Sequence, residues 1–97
     1  MKRLFISTPS EPRKDPASDW LIDRSWDSPE LIEFTEKTIR DIEENGLTFE
    51  KIESMYTEFD KSDDFDTGLA PVFKVSESED EVKVRWADGC EATFTLE

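Results

Sequence analysis

Carboxylates are the reactive groups this chain has in quantity. It carries 25 Asp and Glu against 12 Lys and Arg in 97 residues, and it has no histidine. Carboxylates can work as acid–base pairs, ligate hard cations, or present a negative field to a basic surface. The absence of histidine removes the commonest general base, the Ser-His and Cys-His nucleophile arrangements and the standard zinc sites. The single thiol, Cys90, follows Gly89 where a turn gives way to a strand, the setting of a small half-buried residue and not of a nucleophile. One cysteine makes no disulfide within the chain, so a reducing, cytoplasmic compartment is the default.

Residues 60–70 form an acidic loop with four aspartates, Asp-Lys-Ser-Asp-Asp-Phe-Asp-Thr-Gly-Leu-Ala. An EF-hand calcium loop needs Gly at its sixth position and Glu at its twelfth. A register starting at Asp60 puts Phe65 and Pro71 there, and one starting at Asp64 puts Leu69 and Val75. Both fail. The triplet Asp66-Thr67-Gly68 resembles the Asp-Thr-Gly of aspartic proteases, over three residues only. In that family it lies early in the chain between hydrophobic strands, whereas here it lies late in a charged loop. Paired carboxylates are common along the chain, but none is distinguished as an acid–base couple. There is also no Gly-rich phosphate loop and no cysteine cluster. The expectation is a protein that is not an enzyme and holds no metal or cofactor.

Two helical patterns carry 10 of the 25 acids. Ser28 caps the first, Pro29 fills its first helical position, and Gly46 ends it. Its apolar stripe is Leu31, Ile32, Thr35, Ile39 and Ile42. The second begins at once, with Thr48 as N-cap and Leu47 and Ile52 as a hydrophobic staple. Phe49, Ile52, Met55, Tyr56 and Phe59 form its apolar face. So short a connection makes the helices a hairpin. Residues 25–70 hold 14 Asp and Glu against 4 Lys and Arg. Glu33–Lys37 and Glu36–Arg40 answer one another at i,i+4. From Glu43 onward the acids have fewer answers.

The flanking segments supply the scaffold. Residues 1–27 read as an extended, proline-containing lead-in with Pro9, Pro12 and Pro16, in which Leu4-Phe5-Ile6 is either an edge strand or a loose end. Pro9-Ser-Glu-Pro12-Arg13-Lys14 also fits the proline-rich pattern read by SH3 domains, but the pattern is short and common and the linker reading is preferred. Trp20 and Trp26 are expected to cover one end of the core. Residues 72–96 alternate as three strands, with Phe73 and Val75, then Val82, Val84 and Trp86, then Ala92, Phe94 and Leu96 on one face. A three-residue loop, Ala87-Asp88-Gly89, keeps those apolar residues together by pairing Val84 with Ala92 and Val82 with Phe94. It also sets Arg85 opposite Glu91.

The expected architecture is one small acidic α+β domain over residues 1–97. A helical hairpin (28–60) and an acidic loop (61–70) lead into a three-stranded antiparallel β-meander (71–97), on which the hairpin packs. The formal net charge of −13 argues against direct binding of nucleic acid or an anionic membrane, because both require cations to neutralise phosphate. No secretory signal or membrane-spanning run is visible. What remains is a non-enzymatic binding protein that inhibits or sequesters a basic partner, such as a nuclease or another nucleic-acid-handling protein. Size, charge and lack of catalytic groups are similar to phage-encoded DNA mimics, anti-CRISPR proteins and immunity proteins, a likeness of composition without a shared motif. The acids expected to meet the partner are Glu43, Glu44, Glu50, Glu53, Glu58, Asp60, Asp63, Asp64 and Asp66, with Phe65 as an apolar anchor among them. The competing expectation is a structural or adaptor domain whose acidity serves solubility.

Overall fold

The computed structural model describes residues 2–10, 13–22, 29–60 and 72–97, apart from the side chains of residues 20–22 and 59–60. Among these residues the elements run β1 (Leu4–Ser7), β2 (Asp15–Pro16), α1 (Ala17–Ile22), α2 (Pro29–Asn45), α3 (Phe49–Asp60), β3 (Phe73–Glu77), β4 (Glu81–Arg85) and β5 (Glu91–Leu96). The class is α+β, as the patterns predict. The sheet, however, has five strands and not three, in the order β2-β1-β5-β4-β3, with every pairing antiparallel.

The extra strands come from the proline-containing lead-in. β1 lies beside β5 with Ile6 opposite Phe94 and Leu4 opposite Leu96. Backbone bonds between Arg3 and Glu97 extend the ladder. The chain then doubles back so that Asp15 and Pro16 pair with Ile6 and Phe5. Physically, β5 carries Phe94 and Leu96 and needs a second neighbour, which Leu4 and Ile6 provide by burying to 1% exposure each. Lys14 closes the same end through an ion pair with Glu97. The segment expected to be an extended lead-in therefore supplies two strands, the strand alternative for Leu4-Phe5-Ile6 being the one the fold adopts, and it also contains α1. Trp20 lies on α1, and Trp26 falls outside the described residues.

The helical hairpin forms as expected. Gly46, at φ +116°, leaves α2 in the left-handed region and donates its N–H to the Ile42 carbonyl at 2.9 Å. Thr48 Oγ1 accepts the Lys51 N–H at 3.3 Å as the N-cap of α3. Lys51 then reaches back, donating to the Gly46 carbonyl at 2.8 Å and pairing with Asp41 at 3.3 Å. Asn45 donates to the other Asp41 oxygen at 2.7 Å, and these two contacts hold the Asp41 carboxyl below its usual range. Leu31, Thr35, Ile39 and Ile42 are the buried face of α2, and Ile52, Met55 and Tyr56 that of α3. They meet Leu4, Ile6, Val82, Val84, Ala92, Phe94 and Leu96 from the sheet in one core. The Thr35 hydroxyl, fully buried, is satisfied by the Leu31 carbonyl at 2.8 Å.

The β4–β5 hairpin has the expected register. Val82 faces Phe94, Val84 faces Ala92 and Arg85 faces Glu91. Gly89, at φ +93°, closes the loop by donating to the Trp86 carbonyl, and Trp86 donates to the Cys90 carbonyl. β3 departs from expectation. Phe73 lies opposite Arg85 and Lys74 opposite Val84, then a bulge at Val75 shifts the register, so that Ser76 meets Lys83 and Glu77 meets Val82. Lys74 and Glu77 thus fall on the helix side, while Phe73 points out, 55% exposed, with Val75 43% exposed. Alternation marks a strand but not which face is covered, and on this edge strand neither face is buried.

Candidate partner-binding surface

The expected contact acids fall into three groups. Glu43 is turned inward. Its Oε2 accepts the Leu4 backbone N–H at 3.0 Å, so it ties α2 to β1. Glu44, Glu50 and Glu53 are exposed at the end of α2 and in the first half of α3. Glu58 is half-buried on α3. Asp60 closes α3, and its side chain is outside the described set, while Asp63, Asp64, Phe65 and Asp66 lie outside the described residues altogether.

Helix polarity separates these acids further. The C-terminal end of a helix carries partial negative charge, which favours cations and disfavours carboxylates. Neither α2 nor α3 has a basic residue in its last turn. Glu44 therefore sits where the helix itself penalises it. Glu50 lies in the first turn of α3, where the dipole favours it, and Glu53 follows three residues on along the same outward face. Further back on α2, Lys37 answers Glu33 at 3.7 Å. The expected Glu36–Arg40 ion pair is absent among the described residues; both line a shallow cleft of about 250 Å³ with Ser18, Ile39 and Glu43. Glu44, Glu50 and Glu53 thus form the exposed acids of the α2–α3 corner, while Glu30, Glu36, Glu79, Glu81 and Asp88 are exposed elsewhere on the described residues.

Two acids of the sheet, Glu77 and Glu91, are answered by neighbouring bases. Glu91 is bracketed by Arg85 at 2.8 Å and Lys83 at 3.5 Å, and chiefly the Arg85 contact lowers its carboxyl from the usual range. Glu77 accepts the Phe49 N–H at 2.8 Å, capping the start of α3 from β3. That bond is the main reason its carboxyl is also held low, with Lys74 adding to it at 3.4 Å.

A second concavity was not legible in the sequence. Thr8, Pro9, Ser10, Trp86, Gly89, Cys90 and Glu91 line a cleft of about 430 Å³ beside the β4–β5 turn. Cys90 is exposed there, but the nearby Asp88 charge pushes its thiol up, away from the thiolate. The chain has no histidine to act as a general base beside it. Among the described residues no group of three or more Asp, Glu or Cys is arranged to hold a metal ion, and no helix is long and apolar enough to cross a membrane. No protein-family model, curated protein or solved structure matches the chain.

Proposed function

We propose that this chain is a non-enzymatic binding protein that engages a basic partner through the acids at the α2–α3 corner. The observation that carries the reading is the placement of Glu44, Glu50 and Glu53. All three are exposed, none has an ion-pair partner among the described residues, and Glu44 opposes its own helix dipole. A chain selected only for solubility has no reason to put a carboxylate where the fold penalises it. With a formal net charge of −13, the field favours fast encounter with a positive surface. Nucleic-acid-handling proteins are the commonest bearers of such surfaces, so occupation of a nuclease's or polymerase's binding groove is the finer form of the proposal.

The adaptor reading draws on a different observation, the exposed pair Phe73 and Val75 on β3. One experiment separates the two. Immobilised protein is used to capture partners from host extract across a salt series, alongside a Glu44→Lys, Glu50→Lys, Glu53→Lys variant whose fold is checked by circular dichroism. Basic proteins released by salt and lost in the variant carry the electrostatic reading. Partners that are indifferent to salt and to the reversals overturn it. Addition of the wild-type chain should also displace nucleic acid from a captured partner if the groove is what it occupies.

A further inference from the structure

The edge strand β3 carries none of the corner acids Glu44, Glu50 and Glu53, although its Glu77 meets the start of α3 at Phe49. Among the described residues β3 has a neighbour on one side only, β4, and all five of its residues are exposed. A strand paired on one side turns alternate N–H and C=O groups outward, a template for another strand. The opposite edge, β2, is only two residues long and ends in Pro16, which has no N–H to offer. β3 is therefore the edge with the length to accept a partner, and it shows Phe73 and Val75 beside its open backbone.

Two features restrict what that partner is. The bulge at Val75 and the charge of Lys74 discourage indiscriminate pairing. A strand with nothing acidic opposite Lys74 would pair poorly. β3 itself contains the answer. Lys74 and Glu77 both lie on the helix side, towards opposite ends of the strand, across from Val84 and Val82. We propose that two copies of this chain pair antiparallel through β3, about a two-fold axis between Val75 and Ser76. That register sets Lys74 of each copy against Glu77 of the other, on the same face of one continuous sheet. The contact is isologous, so it closes as a dimer and does not propagate. The Lys74–Glu77 pair within one chain is exposed, 51% and 34%, and contributes little, so exchanging it between copies costs little.

Charge sets the salt response. Each copy carries a formal −13, so the copies repel at low ionic strength and pair more readily once salt screens them. That is opposite in sign to the capture of a basic partner by the acidic corner, so the two surfaces are distinguishable in one salt series. The test is sedimentation equilibrium of the full chain over a concentration range at low and moderate salt, together with amide hydrogen exchange. The expected result is a dimer fraction that rises with concentration and with salt. Lys74→Glu should abolish it, by placing carboxylate against carboxylate, and Lys74→Arg, which keeps the charge and leaves the Glu77 bond to Phe49 intact, should preserve it. Exchange at the β3 amides of the unmodified chain should slow as concentration rises, a readout that does not depend on how the variants fold. A chain that stays monomeric under all conditions, a dimer unaffected by Lys74→Glu, or slowed exchange confined to other elements would overturn the proposal.

Discussion

The Glu43 carboxylate accepts the Leu4 N–H at 3.0 Å, joining the last turns of α2 to the first residue of β1. The pairing of β1 with β2 covers only Phe5 and Ile6, so the Leu4 N–H lies beyond it and takes its acceptor from a helix. Removing the acceptor leaves a donor in a part-buried position without a partner. Glu43→Ala is expected to destabilise the fold by about 1–3 kcal/mol, and Glu43→Gln, which keeps an acceptor oxygen, by less. Urea unfolding checks the order of the two. Equal losses would show that the negative charge, which both variants remove, and not the presence of an acceptor oxygen, is what matters. Glu43 is accordingly a poor position at which to test binding, because its variants act on the fold first.

Glu77 makes the corresponding link between β3 and the start of α3. Its carboxyl is held below the usual range, chiefly by the Phe49 N–H. A group whose pKa is lower in the folded state stabilises the fold when ionised and loses that contribution as pH falls through the folded pKa. The stability difference between wild type and Glu77→Gln should therefore be present at neutral pH and fade in the acid carboxylate range. An NMR titration should show the Glu77 carboxyl and the Phe49 amide moving together, with a midpoint below that of an unperturbed glutamate. A Phe49 amide that does not titrate would remove the link.

The centre of the core gives the largest expected losses. Phe94 is 0% exposed in the middle of β5, and Ile39 is 5% exposed at the middle of the α2 stripe. Phe94→Ala and Ile39→Ala should each cost about 2–5 kcal/mol, the lost burial of the side chain plus the cavity left behind. The check is the denaturant midpoint. If neither variant moves it, the helix–sheet interface is not where the stability of this fold lies.

Legibility in the sequence followed the strength of local signals. Gly46, Thr48 and the stripe from Leu31 to Ile42 fixed the hairpin because cap chemistry and period agree there. Gly89 and the parity of Val82, Val84, Ala92 and Phe94 fixed the β4–β5 register because a one-residue slip would turn every apolar residue outward. Leu4 and Ile6 were ambiguous because a four-residue strand has too few periods to distinguish itself from a loose end; its place beside β5 depends on a contact some 90 residues away. Phe73 was misplaced because alternation gives faces only relative to a covering layer, and α3 reaches β3 through Glu77 instead of burying it. Of the candidate site, the exposure of Glu44, Glu50 and Glu53 followed from the helical period. The inward turn of Glu43 did not, since its acceptor role depends on β1.

Salt provides a last test, because it weakens two opposed effects of different size. Compaction brings 13 excess negative charges into a body with a radius of gyration of 12.3 Å. The Debye length is ~8 Å at physiological ionic strength, so moderate salt screens most of that repulsion. The same salt weakens the exposed ion pairs Lys2–Asp80, Lys51–Asp41 and Lys83–Glu91, but exposed pairs contribute little and none is central to the core. Repulsion outweighs them, since acids exceed bases about twofold over the whole chain and the hairpin holds most of the surplus. In dilute solution, where association of copies adds nothing, the melting temperature should rise from low to moderate salt. Glu50→Lys with Glu53→Lys should raise it at low salt and flatten its dependence on salt, because each reversal removes two units of the excess at exposed positions of the α2–α3 corner. A melting temperature that falls with salt in the wild type would mean that the ion pairs tying Lys2, Lys51 and Lys83 outweigh the net charge, and that the surplus acids are further apart in the fold than their density in the sequence implies.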